Sequence, residues 1–420
     1  MFGIAYTNNA TECIGNKIRQ YYGYLPERIH VCTIHSFLYH ELIKPYYYLL
    51  FGTQINGISA KDLSSIKPQF KNAEYKKLEE KGYLHVEAIS ERAKWVFVKK
   101  SSDIKKTRDN RKVIQNTFMT YCGGIFLDEA QDINDDILEI ILQFQELGIN
   151  MMVMGDPKQD LRGYGNLRKL IKKYPESVKY VIECYRCPSD HLALSNLYVE
   201  PSEKQISHSK IDGKLTFVYE TELEVERFIS ENNFGMIYIS EKNDLFDTHM
   251  SQSSEIDEAL FFEIKDIFKL THPNDDTKKL SRAAYYFAEK LTYEIQKTHD
   301  VKKTINGFTI DLGVHITQKQ YASLATMLSN LISSSDERPI MVSSIDSIKG
   351  MEADNCLFIL TPDLTAYLLS EKTDDNKTKH KLYVALTRST DKLTILISKE
   401  SECKYGRDRI DAFVEKIVCE

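Results

Sequence analysis

Ile125-Phe126-Leu127-Asp128-Glu129-Ala130-Gln131-Asp132 is an apolar run that stops on two adjacent carboxylates. Consecutive large apolar side chains read as a strand buried on both faces, as in a parallel sheet. Ligands of such sheets sit at the carboxyl ends of the strands, so Asp128 and Glu129 are predicted to lie at a binding site. A magnesium–nucleotide site needs this composition: Asp128 holds the metal through water, and Glu129 orients and deprotonates the attacking water. Adjacent acids after a strand also occur as helix N-caps. The Gln131-Asp132 that follows, and further strings in matching order, favour the first reading.

Those strings lie on both sides. Met151-Met152-Val153-Met154-Gly155-Asp156-Pro157-Lys158-Gln159 repeats the design, a buried strand and then a tight turn bearing an amide that can sense a terminal phosphate. Cys184-Tyr185-Arg186-Cys187-Pro188 sets an aromatic ring, which can stack on a base, beside a guanidinium, which can neutralise a transferring phosphoryl group. Ser344-Ile345-Asp346-Ser347-Ile348-Lys349-Gly350-Met351-Glu352 and Lys381-Leu382-Tyr383-Val384-Ala385-Leu386-Thr387-Arg388-Ser389 follow, the second offering another arginine finger in Arg388. Cys184 and Cys187 make a lone C-x-x-C without a second pair at ligand spacing, which reads as part of its string rather than as a zinc site.

Buried strands are predicted at 2–6, 30–33, 124–127, 151–154, 180–183, 215–219, 236–239, 340–343, 356–360 and 393–397, with helices at 135–147, 166–173 and 191–198 between some of them. This alternation predicts an α/β fold built on parallel sheets. Two stretches interrupt it and read as mostly helical, about 38–120 and 257–335, the second with amphipathic runs at 258–269 and 279–296. With 42% hydrophobic and 28% charged residues the chain has the composition of a soluble globular protein. It has no apolar run of membrane-spanning length and no secretory signal pattern. The net charge of -6 argues against a generally basic nucleic-acid coat, so any such contact must come from a local groove. Eight scattered cysteines suit reduced thiols in a cytosol, and a cytoplasmic location is expected.

Taken together the strings resemble motifs II, III, IV, V and VI of the UvrD/Rep helicases of superfamily 1, in the family's order. Ile4-Ala5-Tyr6-Thr7-Asn8-Asn9-Ala10 resembles motif Ia, and Val31-Cys32-Thr33-Ile34-His35-Ser36-Phe37 resembles motif Ib. The resemblance implies a P-loop NTPase-like fold of two RecA-like parallel-sheet lobes, each with a mainly helical insertion. Residues 1–37 and 121–185 would form the first lobe and 38–120 its insertion; 186–256 and 336–420 would form the second lobe and 257–335 its short insertion. It also implies an ATP-dependent motor that moves along single-stranded DNA or loads at DNA ends, with ATP and Mg2+ as cofactors. Asp128 would coordinate the magnesium and Glu129 would be the general base. Gln159 would contact the γ-phosphate and Arg186 and Arg388 would stabilise it. Tyr185 would stack on adenine, Glu352 would hold the ribose, and Lys349 and Gly350 would belong to the nucleotide site. Tyr6, Thr7, Asn8, Thr33, His35 and Tyr164 would face DNA, although Tyr6 and Tyr164 read equally well as ordinary packing aromatics in a chain with 25 tyrosines.

The departures shape the rest. No G-x-x-x-x-G-K-[ST] occurs in the chain, so the lysine, hydroxyl and amide nest that grip phosphates are missing. The strand that carries this loop is expected to be central, so that its loss would leave a gap between buried edges. A start assigned too far downstream, a loop supplied by a separate chain, or a non-hydrolysing relative would each account for it. The first is favoured, because Asp128, Glu129, Gln159, Arg186 and Arg388 all remain. Asp346 replaces the family's motif V histidine, and Asn9, Arg162 and Gly165 alter the DNA track, which predicts weak or partner-dependent DNA binding. The small second insertion resembles the helicase-like subunits of Gabija-type antiphage systems, whose partner is an OLD-type nuclease. The competing expectation is a helicase-like subunit that senses DNA without hydrolysis and regulates a nuclease.

Overall fold

The strand Phe2–Ala5 (β1) is buried at all four positions, because apolar residues there meet cover on both faces of the sheet. In the computed structural model it is flanked by His30–Thr33 (β2) and Ile125–Leu127 (β3), and β3 pairs in turn with Met151–Val153 (β4). The sheet order is β2-β1-β3-β4 and every pair is parallel. Described residues are 1–61, 63, 66–248, 253–271, 277–312, 316–333 and 339–419. They fall into two compact units, Met1–Glu183 with Tyr198–Gln205 and Thr373–Val384, and Cys184–Leu197 with Ile206–Lys372 and Ala385–Glu420.

In the first unit, parallel pairing requires crossovers, and helices supply them. Asn8–Tyr22 starts under the Thr7 side chain, which accepts from Ala10 N, and ends at Gly23 with φ 79°. Asp135–Glu146 starts under Asn134, carries Asp135 and Asp136 in its first turn, and buries Ile137, Ile140, Ile141 and Phe144 as one stripe. Residues between β2 and β3 form the first insertion. It is mostly helical (Pro68–Glu80, Ile89–Phe97, Lys105–Tyr121) and also holds a parallel pair of short strands, Gly57–Ser59 with Tyr83–His85. Phe97 and Phe118 of the insertion meet Phe144, with ring centroids 4.9 and 5.2 Å away, and Phe118 lies 6.5 Å from Phe2. The insertion and sheet thus share one hydrophobic core.

Among the described residues the expected gap in this sheet is absent: its four strands pair consecutively, and β4 is hydrogen-bonded to a strand on one side only. Met152 and Met154 are exposed beside that free side, as are Tyr180, Val181 and Ile182. The strand expected at 180–183 does not form; its apolar run lies outside the sheet and only Glu183–Cys184 is extended into a short pair.

The second unit holds Lys214–Tyr219 (β5), Met236–Ile239 (β6), Ser343–Ser344 (β7), Ala353–Leu360 (β8) and Ser389–Ile397 (β9). Their order is β7-β6-β8-β9-β5, again all parallel. The run expected as one strand at 340–343 is divided: Ile340–Met341 pairs with Phe246–Asp247, and β7 pairs with β6. Helices Ser253–Thr271, Thr277–Thr298, Val301–Leu312 and Gln318–Ser333 form the second insertion. It packs around its own core of Leu260, Ile264, Leu291, Ile295, Leu324 and Leu328, separate from the cluster under the sheet. Its expected limit at 335 lies outside the described residues.

Candidate functional site

In the first unit the chain leaves β3 at Asp128, whose N donates to Ile4 O at 2.8 Å. Glu129 then adopts φ 56°, left-handed backbone that costs a residue with a Cβ on the order of 1–3 kcal/mol. Surrounding bonds hold it there. Asp128 Oδ1 accepts from Glu129 N (2.9 Å), Ala130 N donates to Met154 O (2.8 Å), and the Gln131 amide donates to the Glu129 carboxylate.

Gln131 ties the two loops together. It is buried, and its Oε1 accepts from Asp156 N at 3.1 Å, so one amide reaches from the loop after β3 to the loop after β4. The approach requires glycine at 155: a Cβ there would lie 2.5 Å from Gln131 Oε1 and 2.9 Å from Ala130 N. Asp156 organises the next turn, accepting from Lys158 N (3.0 Å) and Gln159 Nε2 (3.0 Å) and pairing with Lys158 Nζ (3.0 Å). Asp128, Glu129 and Gln159 are therefore gathered at the carboxyl ends of β3 and β4.

Tyr6 follows β1. Its hydroxyl is buried without a hydrogen-bond partner, and burial, Asp132 and Tyr164 together push its pKa well above the usual phenol range. Tyr164 is exposed between Gly163 (φ 75°) and Gly165 (φ 64°). Asp160 holds that turn, its carboxylate accepting from Gly163 N and Gly165 N, both at 2.7 Å. His380 bonds to Asp160 O through Nδ1 and to Asp375 through Nε2, each at 2.9 Å. Asp160, Gly163, Gly165, Asp375 and His380 line a cavity of about 280 Å³ with Gln131 and Arg168. Thr7 and Asn8 are exposed, but Thr7 Oγ1 caps its helix by accepting from Ala10 N (3.1 Å), and Thr33 Oγ1 likewise accepts from Ser36 N (3.3 Å). His35 is half-buried, and burial lowers its pKa, so its ring is neutral near pH 7 and offers phosphate no charge.

In the second unit Tyr185 is 75% exposed and stacks on His208 with centroids 5.3 Å apart, leaving one ring face open. Arg186 is half-buried with Nε unpartnered; Nη1 lies 3.7 Å from Glu352. Burial opposes its charge, but the Cys187 and Cys184 sulfurs and Glu352 outweigh that and raise its pKa. The loop between β7 and β8 carries half-buried Lys349, exposed Gly350 at φ 80°, and exposed Glu352. Arg388 is fully buried, donating through Nη1 to Met351 O (3.3 Å) and through Nη2 to Thr387 Oγ1 (3.2 Å). Arg186, Glu352 and Arg388 thus meet around 351–352. Sequence reasoning did not single out Gln131 or Gly155, although both stood inside the quoted strings. It had no signal for His380, which is 220 positions from Asp160.

Parallel sheets with carboxylates at the strand ends of one and guanidiniums beside the other define an α/β architecture of the P-loop NTPase-like kind. Residues 251–397 match the family described as viral superfamily 1 RNA helicase core domain. The match spans about a third of the chain, taking in the second insertion, the 344–352 loop, Arg388 and the end of β9. Over that stretch the chain is similar to a superfamily 1 helicase core, a class that binds nucleotide and nucleic acid. No curated protein matches the chain. Among the described residues no helix is long and apolar enough to cross a membrane.

Proposed function

We propose that the chain is the motor part of a UvrD/Rep-type superfamily 1 helicase or translocase, coupling ATP hydrolysis to movement on single-stranded DNA in bacterial repair or antiphage defence. The observation that carries this is the Gln131 bridge: it locks strained Glu129 beside Asp128 and joins both to the Gly155–Asp156 turn. Strain of this kind persists where surrounding bonds over-determine it, commonly at functional sites.

Asp128 is the residue to hold Mg2+. Such a cation is commonly held by one or two carboxylates together with water and substrate phosphate oxygens. ATP, bound with that ion, supplies the bond that is cleaved and the charge to be offset. Glu129 takes the proton of the attacking water, Gln159 contacts the terminal phosphate, and Arg186 and Arg388 neutralise developing charge. Tyr185 stacks on the base, while Lys349, Gly350 and Glu352 complete the nucleotide site. Tyr6, Thr7, Asn8, Thr33, His35 and Tyr164 form the DNA track. In this reading 1–37 with 121–185 and 186–256 with 336–420 are the two RecA-like lobes.

The phosphate-gripping loop belongs beside β4. A further parallel strand can add to that unpaired edge without disturbing the other pairs, and a groove of about 450 Å³ along it, lined by Met151, Val153, Leu170, Tyr174 and Val181, can seat the following helix. A second reading, a DNA-sensing subunit that regulates an OLD-type nuclease without hydrolysis, is favoured by the burial of Arg388, whose Nη1 and Nη2 both donate within its own unit. The two separate on ATP turnover by the chain joined to a segment carrying G-x-x-x-x-G-K-[ST], with poly-dT and poly-U as alternative stimulants. DNA-stimulated turnover supports the motor; nucleotide binding without turnover supports the sensor. Stimulation by poly-U alone would sink the DNA assignment.

A further inference from the structure

Cys184 and Cys187 have no part in the nucleotide chemistry above, yet their geometry is specific. Cys184 Sγ accepts from Cys187 N at 3.5 Å. Cys187 is buried, with Sγ 3.5 Å from Thr387 O, whereas Cys184 is half-exposed. We propose that this pair is a thiol–disulfide exchange site for low-molecular-weight disulfides, with Cys184 the attacking sulfur and Cys187 the resolving one. The proposal stands on the second unit alone and does not depend on the motor reading.

The two thiols are polarised in opposite directions. Hydrogen bonding from the Cys187 thiol, then from the Cys187 and Arg186 backbone, with the Arg186 charge behind them, brings Cys184 down to about 5 against the opposing effect of burial. The shift favours the thiolate of Cys184, which is the nucleophilic form. Cys187 is pushed well above the usual thiol range, first by its hydrogen bond to Cys184 and then by burial.

The order of events follows. Cys184 thiolate attacks one sulfur of the reagent disulfide; that S–S bond breaks and one thiolate leaves with its electron pair. In the resulting mixed disulfide Cys184 carries no negative charge, so the largest influence holding the proton on Cys187 is gone. Cys187 gives its proton to solvent and attacks Cys184 Sγ, expelling the second thiolate. Two protein thiols are oxidised to one disulfide while one small disulfide is reduced to two thiols. Tyr185 and Arg186 lie inside the ring this closes. The new bond also draws Cys187 Sγ away from Thr387, whose hydroxyl holds Arg388.

The internal controls are Cys13 and Cys403, which are more exposed than Cys184. Iodoacetamide treatment of the intact chain at pH 6, read by peptide mass mapping, should label Cys184 faster than Cys13 and Cys403, although Cys184 is the less exposed thiol. Oxidised glutathione should then give the Cys184–Cys187 disulfide in the unaltered chain. Cys187→Ser should trap glutathione on Cys184, and Cys184→Ser should leave Cys187 unmodified. Labelling of Cys184 no faster than the two exposed thiols would overturn the proposal. So would glutathione remaining attached to Cys184 when Cys187 is present.

Discussion

The carboxyl ends of the two sheets are built by opposite means. At the first, the candidate groups are anionic and positioned by strained backbone: Glu129 is left-handed, and a buried amide fixes it. At the second they are cationic and positioned by burial and by polar partners, as with Arg388 on Met351 O and Arg186 near Glu352. The difference follows from side-chain reach. A short carboxylate is aimed chiefly by its backbone, whereas a long guanidinium must be gripped along its length, and one that is gripped must be released before it can act elsewhere. The insertions differ in the same spirit. The first is fused to its sheet through Phe97, Phe118 and Phe144, while the second keeps its own core.

The largest effect expected is from Glu129→Gln in the loop-completed protein: hydrolysis abolished, nucleotide binding retained, because only the proton acceptor is lost. Arg388→Ala should lower turnover about 10³-fold or more, as arginine fingers do. Since Arg388 is also buried, its unfolding midpoint must be measured alongside. Loss of stability without loss of turnover per folded molecule would make it a packing residue. This variant is the sharpest way to break the comparison between the two ends.

Gly155→Ala should destabilise the first unit by about 1–3 kcal/mol in urea unfolding, because the methyl collides with the Gln131 bridge. Gly165→Ala meets open space and should cost only the strain of its φ of 64°, on the order of 1–2 kcal/mol. Equal costs would show that the bridge does not set the turn. Tyr6→Ala should weaken single-stranded DNA binding by roughly 1–3 kcal/mol with basal turnover nearly intact. Tyr6→Phe should leave binding unchanged and stability equal or slightly higher, since the hydroxyl it removes is buried and unsatisfied. Weaker DNA binding by Tyr6→Phe would mean that the hydroxyl itself meets the strand.

Much of this was legible in the sequence because the deciding features are local. Strands announced themselves as apolar runs, although those at 30–33, 151–153 and 214–219 are less buried than the runs predict, and the acidic pair after 125–127 stood out by position. What failed was long-range. The run at 180–183 is as apolar as a strand, yet no sheet edge takes it, and periodicity carries no information about partners. The run at 340–343 divides because two different strands claim its halves. The gap expected in the first sheet came from assuming a central place for the loop-bearing strand, but the four strands described there pair consecutively. Glu129 and Gln159 are proposed from residue type and spacing, whereas the bonds of Gln131 and Asp160 depend on partners brought close only by folding. The burial of Arg388 had no local signature.

The most direct test is the rate of ATP hydrolysis, with and without single-stranded DNA, by this chain alone, by the chain completed with a phosphate-loop segment, and by the completed Glu129→Gln variant. The chain alone should turn over little, the completed protein should be stimulated by DNA, and the variant should bind nucleotide without hydrolysing it. Undiminished, DNA-stimulated turnover by the Glu129→Gln variant would contradict the account, because the strained carboxylate at the end of β3 would then have no part in the chemistry.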